Sequence, residues 1–138
     1  MNAPLYTTEI LRLAASLSDP RELEGADGRA ELRSPTCGSR ITATVKLDEL
    51  GRVAALGQQV HACAFGQASA ALLERGATGR SQDEVSDALA QLASWLDGSE
   101  KEPGWGLTAL APARSRKSRH GAILLPFRAL LAAMESAR

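Results

Sequence analysis

Cysteine is scarce in this chain, and the scarcity sets the first bounds. Its 138 residues hold two cysteines, Cys37 and Cys63. Two thiols cannot build a four-thiolate zinc or iron–sulfur site within one chain, and a secreted disulfide scaffold normally carries more. Neither sign of charge is in surplus: 16 basic side chains balance 16 acidic ones. That balance argues against a dedicated nucleic-acid binder and against a disordered charged tail. Long hydrophobic runs are also missing. Stretches such as Ala122–Phe127 fall far short of the roughly 20 residues a membrane span needs. The segment Met1–Leu17 carries Glu9 and Arg12 within its apolar stretch, unlike a signal peptide. A cytoplasmic protein with reduced thiols and no membrane association is therefore expected. No paired carboxylates, phosphate loop or serine-nucleophile motif stands out, and Gly104-Trp105-Gly106 lacks the strand–turn–helix setting of a nucleotide loop.

What is present is a hydrophobic fraction of 44%, enough for one compact domain spanning residues 1–138. Ile10, Leu13, Ala14 and Leu17 recur at helical spacing, so a helix is expected over Tyr6–Leu17, stopped by Ser18-Asp19-Pro20. The period then becomes two. Ile41, Ala43, Val45 and Leu47 alternate with Thr42, Thr44 and Lys46, the pattern of a half-buried strand. Asp48-Glu49-Leu50-Gly51 reads as a hairpin turn, Arg52–Val60 as the return strand, and Ala30–Ser34 as an earlier short strand. Beyond Cys63 the helical period returns with Phe65, Ala68, Ser69 and Leu72, and Gly76 and Gly79 are expected to end that helix. Ser81 with Glu84 forms a capping box ahead of a stripe of Val85, Ala88, Leu89, Leu92 and Leu96. Glu100–Gly106 reads as loop, Arg114–His120 as an exposed basic segment, and Pro126 as the first turn of a final helix. The fold class expected is α+β: a small three-stranded antiparallel sheet with helices packed on one face.

Chemistry concentrates at the two thiols. Cys37 lies in the turn Pro35-Thr36-Cys37-Gly38-Ser39, and Cys63 lies where the return strand hands over to a helix. A thiol at a helix N-terminus is expected to have a lowered pKa, because the helix dipole and unpaired amides favour the thiolate. If residues 39–47 and 52–60 pair as a hairpin, Cys37 and Cys63 meet at one end of the sheet, however distant in sequence. Two cysteines can also be plain packing residues in a small Ala-rich domain. His61 precedes Cys63 on a strand end, where histidine is commonly a surface residue, and His120 closes a basic run of the kind that usually forms a solvated face.

Pro35-Thr36-Cys37-Gly38-Ser39-Arg40-Ile41, a hairpin, then Ala62-Cys63-Ala64-Phe65-Gly66-Gln67-Ala68-Ser69-Ala70 resembles the NifU/IscU-type iron–sulfur cluster scaffold family. There a Pro-x-Cys-Gly-Asp turn and a Gly-Cys-x-x-x-x-Ala-Ser segment supply two ligand cysteines. The likeness runs from about Tyr6 to the C-terminus, and Gly76–Trp105 is similar to the longer insertion of the SufU-like branch. Carried over, it makes Cys37 and Cys63 the first two ligands. The family's aspartate is Ser39 in this chain. The third cysteine, placed just before the last helix, falls at Ala122, or at Gly121 if the register slips. A histidine near that cysteine in the IscU branch has its counterpart in His120.

The resemblance implies a non-enzymatic scaffold that binds iron, a nascent iron–sulfur cluster or, alternatively, zinc. The metal ligands would be Cys37, Cys63 and His120, with His61 an outside candidate for a fourth. Since histidine can replace cysteine on iron, such a donor set is chemically reasonable. Implied partners are a cysteine desulfurase supplying sulfur and apo-proteins receiving the cluster. Two rival readings stand beside it. One is a degenerate scaffold that keeps only a docking role. The other is a sulfur-accepting thiol protein in which His61 serves Cys63 as base.

Overall fold

The computed structural model describes residues 6–35 and 38–137, so the expectations placed on Cys37 fall outside the described residues. Nine elements follow in chain order: α1 (Thr8–Ala15), β1 (Gly28–Arg33), β2 (Arg40–Leu47), β3 (Val53–His61), α2 (Ala64–Ala77), α3 (Gln82–Leu96), the 3-10 helices η1 (Leu107–Ala113) and η2 (Lys117–Arg119), and α4 (His120–Ser136). The three strands form one antiparallel sheet in the order β1-β2-β3. The α+β architecture read from the alternating strand pattern is thus the one observed.

The sheet's inner face carries Ile41, Ala43 and Val45, all buried against Phe65, Leu73, Phe127 and Leu130 from the helices. Alternation along β2 would leave Thr42 and Thr44 in solvent, yet both are buried. The chain between α1 and β1 crosses the sheet's outer face and accounts for Thr44. The amide of Leu23 donates to Thr44 Oγ1 at 3.0 Å, and a side chain at Gly57 would collide with Thr44 Oγ1 and the Arg21 carbonyl.

Three helices run the same way. At one end Tyr6, just ahead of α1, packs its ring in a tilted arrangement against Phe65 in the first turn of α2, with centroids 5.0 Å apart. At that same end Ser69 Oγ donates to the Ile123 carbonyl of α4 at 2.6 Å. At the other end Ser18 donates to Glu74 of α2, while the Ser136 hydroxyl of α4 accepts from the Arg29 amide of β1. The N-termini of α1, α2 and α4 therefore gather at one end of the molecule, and the β2–β3 hairpin turn lies at the other. Asp48 closes that turn: its carboxylate accepts from the amides of Leu50 and Arg52, and Gly51 takes the positive φ of 78°.

Several boundaries differ from the sequence reading. Helix α2 continues through Gly76 and stops at Ala77, with Gly79 supplying the positive φ of 86°. Gly76 serves packing instead: a Cβ there would lie 2.9 Å from the Trp105 ring. Trp105 also meets Phe127, and the Arg80 guanidinium sits over its ring. Pro126 is not in a first turn, because α4 begins at His120. Lacking an N–H, it leaves the Ala122 carbonyl without its helical donor. The basic stretch is not a simple solvated loop either. The Arg114 guanidinium stacks on Trp95 and donates to the carbonyls of Trp95 and Ser99. The capping box holds as read, with Ser81 Oγ accepting from the Glu84 amide and Glu84 accepting from the Ser81 amide.

Candidate metal centre at the thiol end

Strand β3 ends at His61, and two residues later Cys63 is the N-cap of α2, in extended geometry with φ −66° and ψ 173°. Its side chain makes no capping bond to the helix. The β2–β3 register puts Arg40 opposite His61, so the turn preceding Arg40 ends beside the head of α2. Hydrogen bonding from the Ser34 amide to the Ser39 carbonyl, at 2.8 Å, closes that turn. Gly38 adopts a φ of 72°, a left-handed conformation that glycine takes without steric cost. Gly38, Ser39, Val60, His61, Ala62, Cys63 and Gln67 line an open recess of about 480 Å³. Cys63 and the Gly38–Ser39 end of the cysteine-bearing turn thus share one recess.

Close packing brings α4 to the same place. A side chain at Gly66 would fall 2.7 Å from the Ala62 Cβ and 3.2 Å from the Ala122 carbonyl. Ala122 itself is fully buried. Ala122, one of the two positions the resemblance matches with the third cysteine, therefore packs against the first turn of α2 and carries a methyl group. Ser39, at the aspartate position, is buried beside the recess and is held in further contacts.

His120 heads α4 with its ring half-buried. Its Nε2 lies 2.9 Å from the Ala113 carbonyl and 3.2 Å from that of Arg114. Carbonyl oxygens only accept, so Nε2 carries the proton and, in the neutral ring, Nδ1 carries the lone pair. A backbone-anchored N–H with the other nitrogen left as donor is the usual arrangement of a metal-binding imidazole. Among the described residues, no three His, Cys, Asp or Glu side chains gather closely enough to hold a metal. Cys63, His61 and His120 do not form such a triad by themselves.

Sequence reasoning passed over Tyr6. Its ring packs against Phe65, the second residue of α2, with centroids 5.0 Å apart. Burial chiefly, and then the Cys63 sulfur, push the phenol above its ordinary value, while Arg119 pulls it the other way. The local field at this end is positive. The helix N-termini contribute partial positive charge, and Arg33 faces Arg40 across β1–β2, offset in part by Glu31 at 3.7 Å from Arg40.

No protein-family model matches the sequence, and no curated protein matches it. Solved structures do. A nitrogen-fixing NifU-like protein (N-terminal) from Brucella abortus superposes with a TM-score of 0.86 at 30% identity, covering 96% of this chain and 93% of that one. A protein assigned as an iron–sulfur cluster assembly scaffold for the SUF system, from Fervidobacterium islandicum AW-1, gives 0.84 at 19% identity, covering 94% and 96%. A hypothetical protein gives 0.78 at 22% identity, covering 92% and 96%. The latter two show the shared fold. The Brucella protein combines that fold with 30% identity over nearly its whole length, so the chain belongs to the NifU-like family, as a divergent member without the third cysteine.

Proposed function

We propose that this protein is a scaffold for iron–sulfur cluster assembly, holding iron or a nascent cluster through Cys37 and Cys63. The observation that carries the reading is the placement of Cys63. It caps α2 where three helix N-termini gather, in a recess shared with Gly38 and Ser39, the residues that follow Cys37. Two thiolates and the Nδ1 of His120 are a donor set suited to zinc or to an iron–sulfur centre with one histidine ligand. Three protein donors fall short of the usual four, which suits a site that must release its cargo. In this reading a cysteine desulfurase supplies the sulfur, apo-proteins receive the product, and the work is done in the cytoplasm without catalysis by the scaffold. No helix among the described residues is long and apolar enough to cross a membrane.

Anaerobic supply of ferrous iron and sulfide to the purified, tag-free protein tests the proposal. Visible absorbance and bound iron should appear in the parent and be lost in the Cys37→Ala, Cys63→Ala double variant. Equal absorbance and iron in both would refute the scaffold role. A second reading is favoured by Ala122 and Ser39, which stand where the family has ligands. There the protein would keep only the docking surface and modulate the assembly machinery. Protein that takes up neither iron nor zinc stoichiometrically, yet still binds a desulfurase, would establish that reading.

A further inference from the structure

We propose that Arg114 is a positioning residue for His120, pinning to the end of α3 the backbone carbonyls that hold the imidazole by its Nε2 proton. The inference rests on the reading of His120 as a metal donor, and goes beyond it in assigning the side chain that fixes that donor. Every link is a hydrogen bond in the structure. His120 Nε2 donates to the Ala113 carbonyl at 2.9 Å and to the Arg114 carbonyl at 3.2 Å. Both carbonyls stand at the end of η1, a short 3-10 helix that contains Pro112. Hydrogen-bond geometry in such a helix is poorer than in an α-helix, so its end needs an outside tether. Arg114 supplies one. Its Nε donates to the Trp95 carbonyl at 2.9 Å and its Nη2 to the Ser99 carbonyl at 2.8 Å. The guanidinium also lies over the Trp95 ring, 4.8 Å from the centroid. Trp95 is buried in the last turn of α3, where carbonyls lack helical donors and a cation is favoured.

An imidazole ligand works best with its second nitrogen held, because that hydrogen bond selects the tautomer and sets the ring orientation. Here two carbonyls share the proton, and the group that steadies them is a planar fork gripping two further carbonyls. Lysine keeps the charge but cannot reproduce that fork. Helix α4 begins at His120, so its own first turn does not supply these partners; they come from α3 by way of η1. Loss of partners of this kind typically weakens metal binding about 10- to 100-fold.

The metal-free protein gives the first readout. Held by two carbonyls, the Nε2 proton of His120 should exchange slowly enough with water to give a nitrogen-coupled NMR peak, assigned by its loss in His120→Ala. The other histidine, His61, is exposed at its strand end. Arg114→Gln should broaden or remove the peak. A peak identical in parent and variant, or none in the parent, would overturn the proposal. Cobalt(II) affinity is the second readout, and Arg114→Gln should weaken it about tenfold. Should that variant fail to fold, Arg114→Lys carries both measurements, with the same losses expected. In a His120→Ala background the Arg114 substitution should cost nothing further. An equal loss in both backgrounds would show that Arg114 does not act through the imidazole, and would overturn the proposal. If the parent binds no cobalt while the ring proton still depends on Arg114, the metal-holding role falls and the positioning of His120 stands.

Discussion

At the scale of single residues, the thiol end is organised by what small side chains allow. Gly66 lets the first turn of α2 approach both Ala62 and the start of α4, and a methyl group there has no free space. Gly66→Ala should destabilise the fold by about 1–3 kcal/mol, the usual cost of overpacking, measured by denaturant unfolding. It should weaken metal uptake as well, since α4 carries His120. Ala122 sits against that same turn. Ala122→Cys should therefore add a third thiolate and tighten zinc binding in a competition titration, whereas unaltered affinity would mean the position does not reach the metal. Cys63 was legible in the sequence because the hydrophobic period switches from strand to helix around it. Tyr6 was not. A lone aromatic one residue before a helix cap has no periodic signal, and only the packing of α1 on α2 brings its ring against Phe65, two residues beyond Cys63.

At the scale of elements, local rules worked where a motif is self-contained and failed where tertiary packing overrode them. The capping box of α3 needs only Ser81 and Glu84, and it formed as read. Gly76 and Pro126 look like helix punctuation, yet both lie inside helices. Gly76 makes room for Trp105, and α4 extends one and a half turns ahead of its proline because its buried residues, from Ala122 and Ile123 onward, need the helix. The 3-10 helix η1 has a short, Ala- and Pro-containing sequence with no regular period, so nothing local announced it. The capping box also carries a pH signature. The Ser81 amide first, with the Arg80 and Arg52 guanidinium groups, holds the Glu84 carboxyl below its ordinary value of 4.5. A folded-state pKa that is lowered contributes stability above the unfolded value and loses it as pH falls through the folded one. Parent and Glu84→Gln should therefore differ in melting temperature at neutral pH, and the gap should close as pH drops below about 4.5. A gap that persists undiminished into strong acid would show that the charge of Glu84 is not its source.

At the scale of the molecule, one asymmetry organises the rest. The sheet delivers Gly38, Ser39 and Cys63 to one end, and α1, α2 and α4 direct their N-termini to it. The three antiparallel strands and the hairpin were readable from alternation and turn residues. The common direction of the three helices was not, because it is fixed by contacts between distant segments, such as Ser18 with Glu74 and Ser69 with Ile123. Three helix N-termini, an open recess and Cys63 then coincide at one place. The central claim is that a metal at this end is bound through sulfur from Cys37 and Cys63. X-ray absorption at the zinc edge of the zinc-loaded protein tests it most directly. The account predicts sulfur scatterers at about 2.3 Å, reduced in Cys63→Ser and absent when Cys37 is also replaced. A first shell of oxygen and nitrogen alone, identical in parent and variants, would contradict it.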